Sequence, residues 1–181
     1  ALLSLLRYPR MLDLTHLVSF GAFFLCMAAA ESYPAFHLQV MQFVVWIFAE
    51  GDLAYVGEAY ASGNILSAKF ATWWNNFVMQ TVLYSALPSL FIPGAALLKN
   101  LASFTFAGFV MAPNWEGTAA AYTYHVGTLV LELEAYIIVS FASLVFPYRL
   151  WRGLTRLGES AGQAFRHAWD EGVHAIFGLT V

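Results

Sequence analysis

Apolar residues gather along this chain into runs long enough to be helices that cross a bilayer. The first covers 12–30. The second, 73–92, opens on Trp73 and Trp74 and contains Pro88. Pro93 and Gly94 turn the second run straight into a third, 94–111, and the polar stretch APNWEGT leads into a fourth, 119–146. A crossing takes about 20 residues at about 1.5 Å of rise each, so the third run is short and the fourth generous. Each is expected to be a helix, because a helix satisfies its own backbone where no water can. The pattern predicts an all-α integral membrane protein with one membrane domain, 1–181, and four transmembrane helices.

Two further segments depart from that pattern. PAFHLQVMQFVVWIFA, residues 34–49, is apolar but only sixteen residues long and is interrupted by His37, Gln39 and Gln42. It is read as an interfacial or re-entrant helix; if it crosses, one terminus changes sides. After Pro147 the apolar residues Leu150, Leu154, Leu157, Ala161, Ala164, Phe165, Ala168 and Ile176 recur at helical spacing, opposite Arg152, Arg156, Glu159, Gln163, Arg166 and Asp170. The tail 147–181 is therefore expected to be an amphipathic cytoplasmic helix. It either lies on the inner membrane surface with Trp151 at the interface or docks a partner, and Gly153, Gly158, Gly162 and Gly172 favour close packing.

Composition agrees with a lipid environment: 60% of the 181 residues are hydrophobic and 10% are charged. A net charge of -3 gives no basic patch, which excludes nucleic acid as a partner. The lone Cys26 can form no internal disulfide. No cleavable signal is evident after the first run, and the chain opens on Ala1, so residues can be missing before it. Arg7 and Arg10 flank the first run, while Arg149, Arg152, Arg156 and Arg166 follow the fourth. By the positive-inside rule both termini are cytoplasmic in a multi-pass protein of the cell membrane. Segment 31–72 then lies outside, with Glu31, Glu50, Asp52 and Glu58 against the single Lys69.

The fourth run, read as YHVGTLVLELEAYIIVSFASLVF, holds His125, Glu132 and Glu134 where hydrocarbon is expected. His125 and Glu132 share a helix face, and Glu134 points about 200° around from Glu132. Since a charge at the bilayer centre costs a few kcal/mol at the least, these groups must face protein or water, or be neutral. Lys99, beside Asn100 in the third run, offers an ion pair to Glu134 or Glu132 that would fix helix packing; a proton or ion path through the same carboxylates is the alternative. His16, His37 and His125 are candidate ligands for a haem or chlorophyll metal, though none is spaced to demand one, and the cofactor is left unassigned. No metal site is predicted. There is no GxSxG or HExxH, and Cys26 in an apolar helix is expected to be inert, so the chain is read as not an enzyme. Gly94, Ala102, Ser103, Ala107 and Gly108 let the third helix approach a neighbour closely.

The block FATWWNNFVMQTVLYSALPSLFIPGAALLKNLASFTFAGFVMA resembles the stage II sporulation protein M family of integral membrane proteins. That family has a Phe-rich helix start with an Asn-containing pair, a small-residue span, a short turn, and a span with Asn near its start and Gly further on; Asn75, Asn76, Asn100 and Gly108 stand in those places. The family's later His, Gly and Glu-Leu positions are matched by His125, Gly127, Glu132 and Leu133, whereas Tyr124 replaces a proline and Lys99 precedes the asparagine. The resemblance covers about 70–143. It implies a non-catalytic membrane scaffold that recruits partner subunits, with His125 and Glu132 shaping its interior; the founding member helps assemble cell-wall hydrolases during engulfment, a role not carried over here. The expected function is a scaffold or accessory subunit of a multi-subunit membrane complex, with the lipid bilayer and other membrane subunits as partners. Rival readings are a structural or cofactor-bearing subunit of a photosynthetic or respiratory complex, and a small transport permease subunit.

Overall fold

In the computed structural model, which describes residues 7–112 and 119–180 but not the side chains of 119–126, 128 and 180, every regular element is a helix. Helix α1 (Pro9–Ser32) and helix α2 (Pro34–Ala49) both begin on a proline, whose missing N–H falls where a helix has no acceptor for it. Helix α3 (Ala54–Ala61) follows α2 after a break and turns by 77° from it. Gly57 permits that bend, because a methyl group there would overlap the Phe48 carbonyl oxygen. The segment expected to be interfacial or re-entrant is thus half of a bent pair.

Helix α4 (Ile65–Trp73) is capped by Asn64, whose side chain accepts from the amides of Leu66 and Ser67. It runs without interruption into a π-helix (Trp74–Ala86) and then α5 (Leu87–Phe91), so the helical stretch that contains the second predicted run begins at Ile65. In the wider π turns the hydroxyls of Thr81 and Ser85 donate to carbonyls five residues back, those of Asn76 and Gln80, at 2.8 and 2.7 Å. Helix α6 (Ala95–Val110) lies across α1; at Gly108 the two backbones come so close that a methyl group would overlap the Phe23 carbonyl.

Helix α7 (Ala119–Thr155) has 37 residues and passes through Pro147, so the helix that contains the fourth predicted run continues beyond 146. Proline carries no N–H for the carbonyl four residues earlier, and in hydrocarbon that carbonyl needs another donor. The Gly94 amide supplies it: Gly94 N–H donates to Ser143 O at 3.2 Å, from the tight turn between α5 and α6. The turn needs φ +84° at position 94, which glycine adopts without steric cost.

Helix α8 (Ala161–Thr180) is amphipathic, but it does not stand apart from the bundle. It folds back antiparallel on α7: Gly153 meets Ala164, Phe146 meets Gly172, and Ile176 enters the same cluster as Val139 and Ala142. Its buried face is Ala164, Ala168, Ala175 and Ile176, while Leu154, Leu157 and Phe165, expected on that apolar side, are exposed. A Cβ at Gly172 would sit 2.6 Å from that of Phe146, so this hairpin depends on glycine for close approach.

By length and composition two stretches, α1 and Leu129–Thr155 of α7, can cross a membrane, and three can if α2 and α3 make one bent crossing. Helix α6 is shorter, and the run from α4 to α5 is divided by its π-helical middle.

Candidate functional site

Helix α7 carries two polar stations on opposite sides. On the side facing α6, Asn100 is buried, 1% exposed, at the meeting of three helices. Its Nδ2 donates to the Tyr136 carbonyl at 3.1 Å and to Ser140 Oγ at 3.0 Å, while its Oδ1 accepts from Ser85 Oγ at 3.2 Å. One amide therefore ties the π-helix, α6 and α7 together. Each hydroxyl also keeps a bond in its own helix, Ser85 to Gln80 O and Ser140 to Tyr136 O. One turn earlier, Ser89 accepts from the Ala96 amide at 2.9 Å and supports the start of α6. The resulting seam is closed within the chain.

On the other side, facing α1, His16 meets Glu134 at 2.9 Å. His16 Nδ1 lies 2.9 Å from the Leu12 carbonyl; a carbonyl only accepts, so Nδ1 carries a hydrogen. Nε2 and Glu134 Oε2 then share one proton, as imidazolium with carboxylate or as imidazole with carboxylic acid, and the pair is neutral in either form. Both ring nitrogens are occupied, which leaves His16 no lone pair for a metal without breaking this arrangement. The two side chains remain 33% and 39% exposed. Counting along the helices, His16 lies about 12 Å from Tyr8 and Glu134 about 21 Å from Tyr148.

Glu134 thus takes His16 as its partner, not Lys99. The Gly94–Ser143 contact sets the register of α6 on α7 and brings Lys99 level with Tyr136, over whose ring its Nζ sits at 5.0 Å. That Nζ is buried and has no hydrogen-bond partner, and Lys99 makes no ion pair among the described residues. Glu132, one turn before Tyr136, is half-buried. The side chain of His125 lies outside the described residues. His37 is buried, with Nε2 unpartnered. No group of three or more His, Cys, Asp or Glu side chains that could hold a metal occurs among the described residues. Of the small residues expected to pack, Gly108 is buried against α1, Ala107 packs on the Phe23–Phe104 cluster, Ser103 and Gly94 are half-buried, and Ala102 is exposed.

An ion network that the sequence reading missed closes one end of the bundle. Arg149 holds Glu159 through two bonds, 2.7 and 3.1 Å, and reaches Glu171 at 3.4 Å. Glu171 also accepts from Arg7 at 2.8 Å and from the Tyr8 hydroxyl at 2.9 Å. Burial first, and then the Glu171 bond, push the Tyr8 phenol up to about 12; the Arg149 bonds hold the Glu159 carboxyl below its usual range. Arg7, Arg149, Glu159 and Glu171, with His167, Asp170 and His174, line an open cavity of about 560 Å³ between the start of α1, the end of α7 and α8. A signal was present in the sequence, since acids at 159 and 171 and basic residues at 7 and 149 all flank apolar runs, but their convergence needs the α7–α8 hairpin.

No family model, curated protein or solved structure matches the chain.

Proposed function

We propose that this chain is a non-catalytic scaffold or accessory subunit of a multi-subunit membrane complex. The observation that supports it best is the His16–Glu134 pair, more than a third exposed on the Glu134 side, which in this reading lies well inside the bilayer. Polar groups cost free energy in lipid and are retained where protein or water covers them. Within this chain nothing described covers that side of the pair, so a neighbouring subunit is the natural cover. The resemblance over 70–143 to the stage II sporulation protein M family points the same way.

In this reading four segments cross, α1, the α4–α5 run, α6 and α7, and both ends lie on the cytoplasmic side. The meeting of Arg7 and Arg149 at Glu171 supports that placement, because it holds the start of α1 and the end of α7 at one level. The same membrane-depth pair favours, as a second reading, a transport subunit that moves a proton; flux into liposomes separates the two.

The test is affinity purification from the native membrane in mild detergent. Another membrane protein is expected to co-purify in fixed ratio and to be lost when His16 and Glu134 are both changed to leucine. Recovery of the chain alone, unaffected by that double change, would overturn the reading.

A further inference from the structure

We infer that the subunit covering the His16–Glu134 face is a transmembrane helix bearing a lysine or arginine near mid-bilayer, a conclusion that rests on the scaffold reading and names its partner. Glu134 spends Oε2 on His16, and Oε1 has no hydrogen-bond partner among the described residues. An unbonded carboxyl oxygen on a side chain 39% exposed calls for a donor in lipid, and interhelical donors are what membrane helix packing supplies. Asp13 stands one turn before His16 on α1 and is exposed. Asp13 therefore adds a second exposed carboxyl to this part of α1, and two carboxyl groups suit a basic side chain better than an amide or a hydroxyl.

A second copy of this chain does not fit. Beyond Arg10 α1 has no Lys or Arg, and α7 has none before Arg149, so a symmetric contact would set Asp13 and Glu134 against their own kind. Lys99, the one basic residue at comparable depth, sits on the other side of α7 with its Nζ buried.

The experiment uses the full chain in phosphatidylcholine vesicles with three labelled probe peptides, each a polyleucine transmembrane helix with a central Lys, Leu or Glu. Association is read by energy transfer to a dye on an added tag. The lysine peptide is expected to reach half-saturation at about tenfold lower peptide-to-lipid ratio than the leucine peptide. That preference should shrink in Asp13→Asn and in Glu134→Gln, a change that keeps a bond to His16, and vanish when the two are combined. Circular dichroism and melting of each variant show that the fold is retained, and Asp13→Asn, at an exposed position, provides a readout if Glu134→Gln unfolds. Equal capture of the lysine and leucine peptides, or a preference untouched by both variants, would overturn the inference. So would energy transfer between copies of the chain that Glu134→Gln abolishes. If the lysine peptide shows no advantage but native purification still yields a partner sensitive to His16 and Glu134, this inference fails alone; if no partner co-purifies, the scaffold reading fails first.

Discussion

Asn100 permits the sharpest quantitative test of how the bundle is held. It makes three hydrogen bonds to two other helices at 1% exposure. Interhelical hydrogen bonds in membranes average about 0.6 kcal/mol in double-mutant cycles, so the three together contribute about 2 kcal/mol. Asn100→Leu keeps the volume and loses the bonds; because Ser85 and Ser140 retain bonds to their own helices, no hydroxyl is orphaned, and the cost should stay near 2 kcal/mol. Asn100→Ala adds a cavity and should cost about 3 kcal/mol. Asn100→Asp should be worst, since it turns a carboxyl oxygen toward the Tyr136 carbonyl and buries a group that must be neutral or unpaired. The assay is reversible unfolding from mixed micelles with increasing sodium dodecyl sulfate. A cycle combining Asn100→Leu with Ser140→Ala isolates one bond and should give a coupling between about 0.6 and 1.7 kcal/mol. Zero coupling, or Asn100→Leu as stable as the parent, would mean that this amide is a passenger and that apolar packing alone joins α6 to α7.

Three other changes have definite expectations. Gly94→Ala puts a side chain at φ +84° and weakens the turn that serves the Ser143 carbonyl, so it should destabilise by about 1–2 kcal/mol, and Pro147→Ala should offset part of that by restoring an amide within α7; additive effects in melting experiments would refute the link. Glu159 has a folded-state pKa below its unfolded one, so its bond to Arg149 stabilises the α7–α8 hairpin above the ordinary carboxylate range and is lost as pH falls through the depressed value; proteolysis of the 156–160 link should quicken only there, and a flat pH profile would contradict it. Tyr8 titrates in the opposite sense: raised to about 12, it stabilises fully below pH 10 and loses that contribution as pH rises toward 12, a loss that Tyr8→Phe should remove from the alkaline melting curve.

Much of this architecture was legible because membrane spans impose a one-dimensional pattern: about 20 apolar residues in a row have few other uses. The helical class and the placement of α1 and α7 follow from it directly. What could not be read was where the ends lie and how the helices face one another. Pro147 looks like a terminus in sequence, since proline usually stops a helix, yet the helix continues because the Gly94 amide takes the carbonyl that proline strands. The tail looked like a surface helix because its polar stripe is real; that stripe faces Arg149 and Arg7 instead of lipid headgroups alone. The partner of Glu134 is not legible for a related reason: counting residues from predicted ends gives depth along α7, but the side of α7 that Glu134 faces depends on where α1 packs, and no local feature of the sequence encodes that.

The two stations on α7 differ in a way that bears on what the molecule is for. Both place polar groups among apolar helices, and both can bind in either direction, through an amide at Asn100 and a shared proton at His16 and Glu134. At Asn100 the donors and acceptors are matched by α6, α7 and the π-helix, and the site is shut; it needs nothing from outside to be stable. At Glu134 the matching stops halfway, with one oxygen bonded and the other without a hydrogen-bond partner among the described residues, on a side chain 39% exposed. If the unbonded oxygen were merely tolerated, replacing Glu134 with leucine should stabilise the isolated chain, because His16 would still keep its bond to Leu12 and the face would become wholly apolar. If the oxygen is reserved for another subunit, the same replacement should stabilise the isolated chain and weaken the complex at once. Measuring both quantities on one variant therefore separates a structural leftover from a recognition feature, and a complex that survives Glu134→Leu unchanged would favour the leftover.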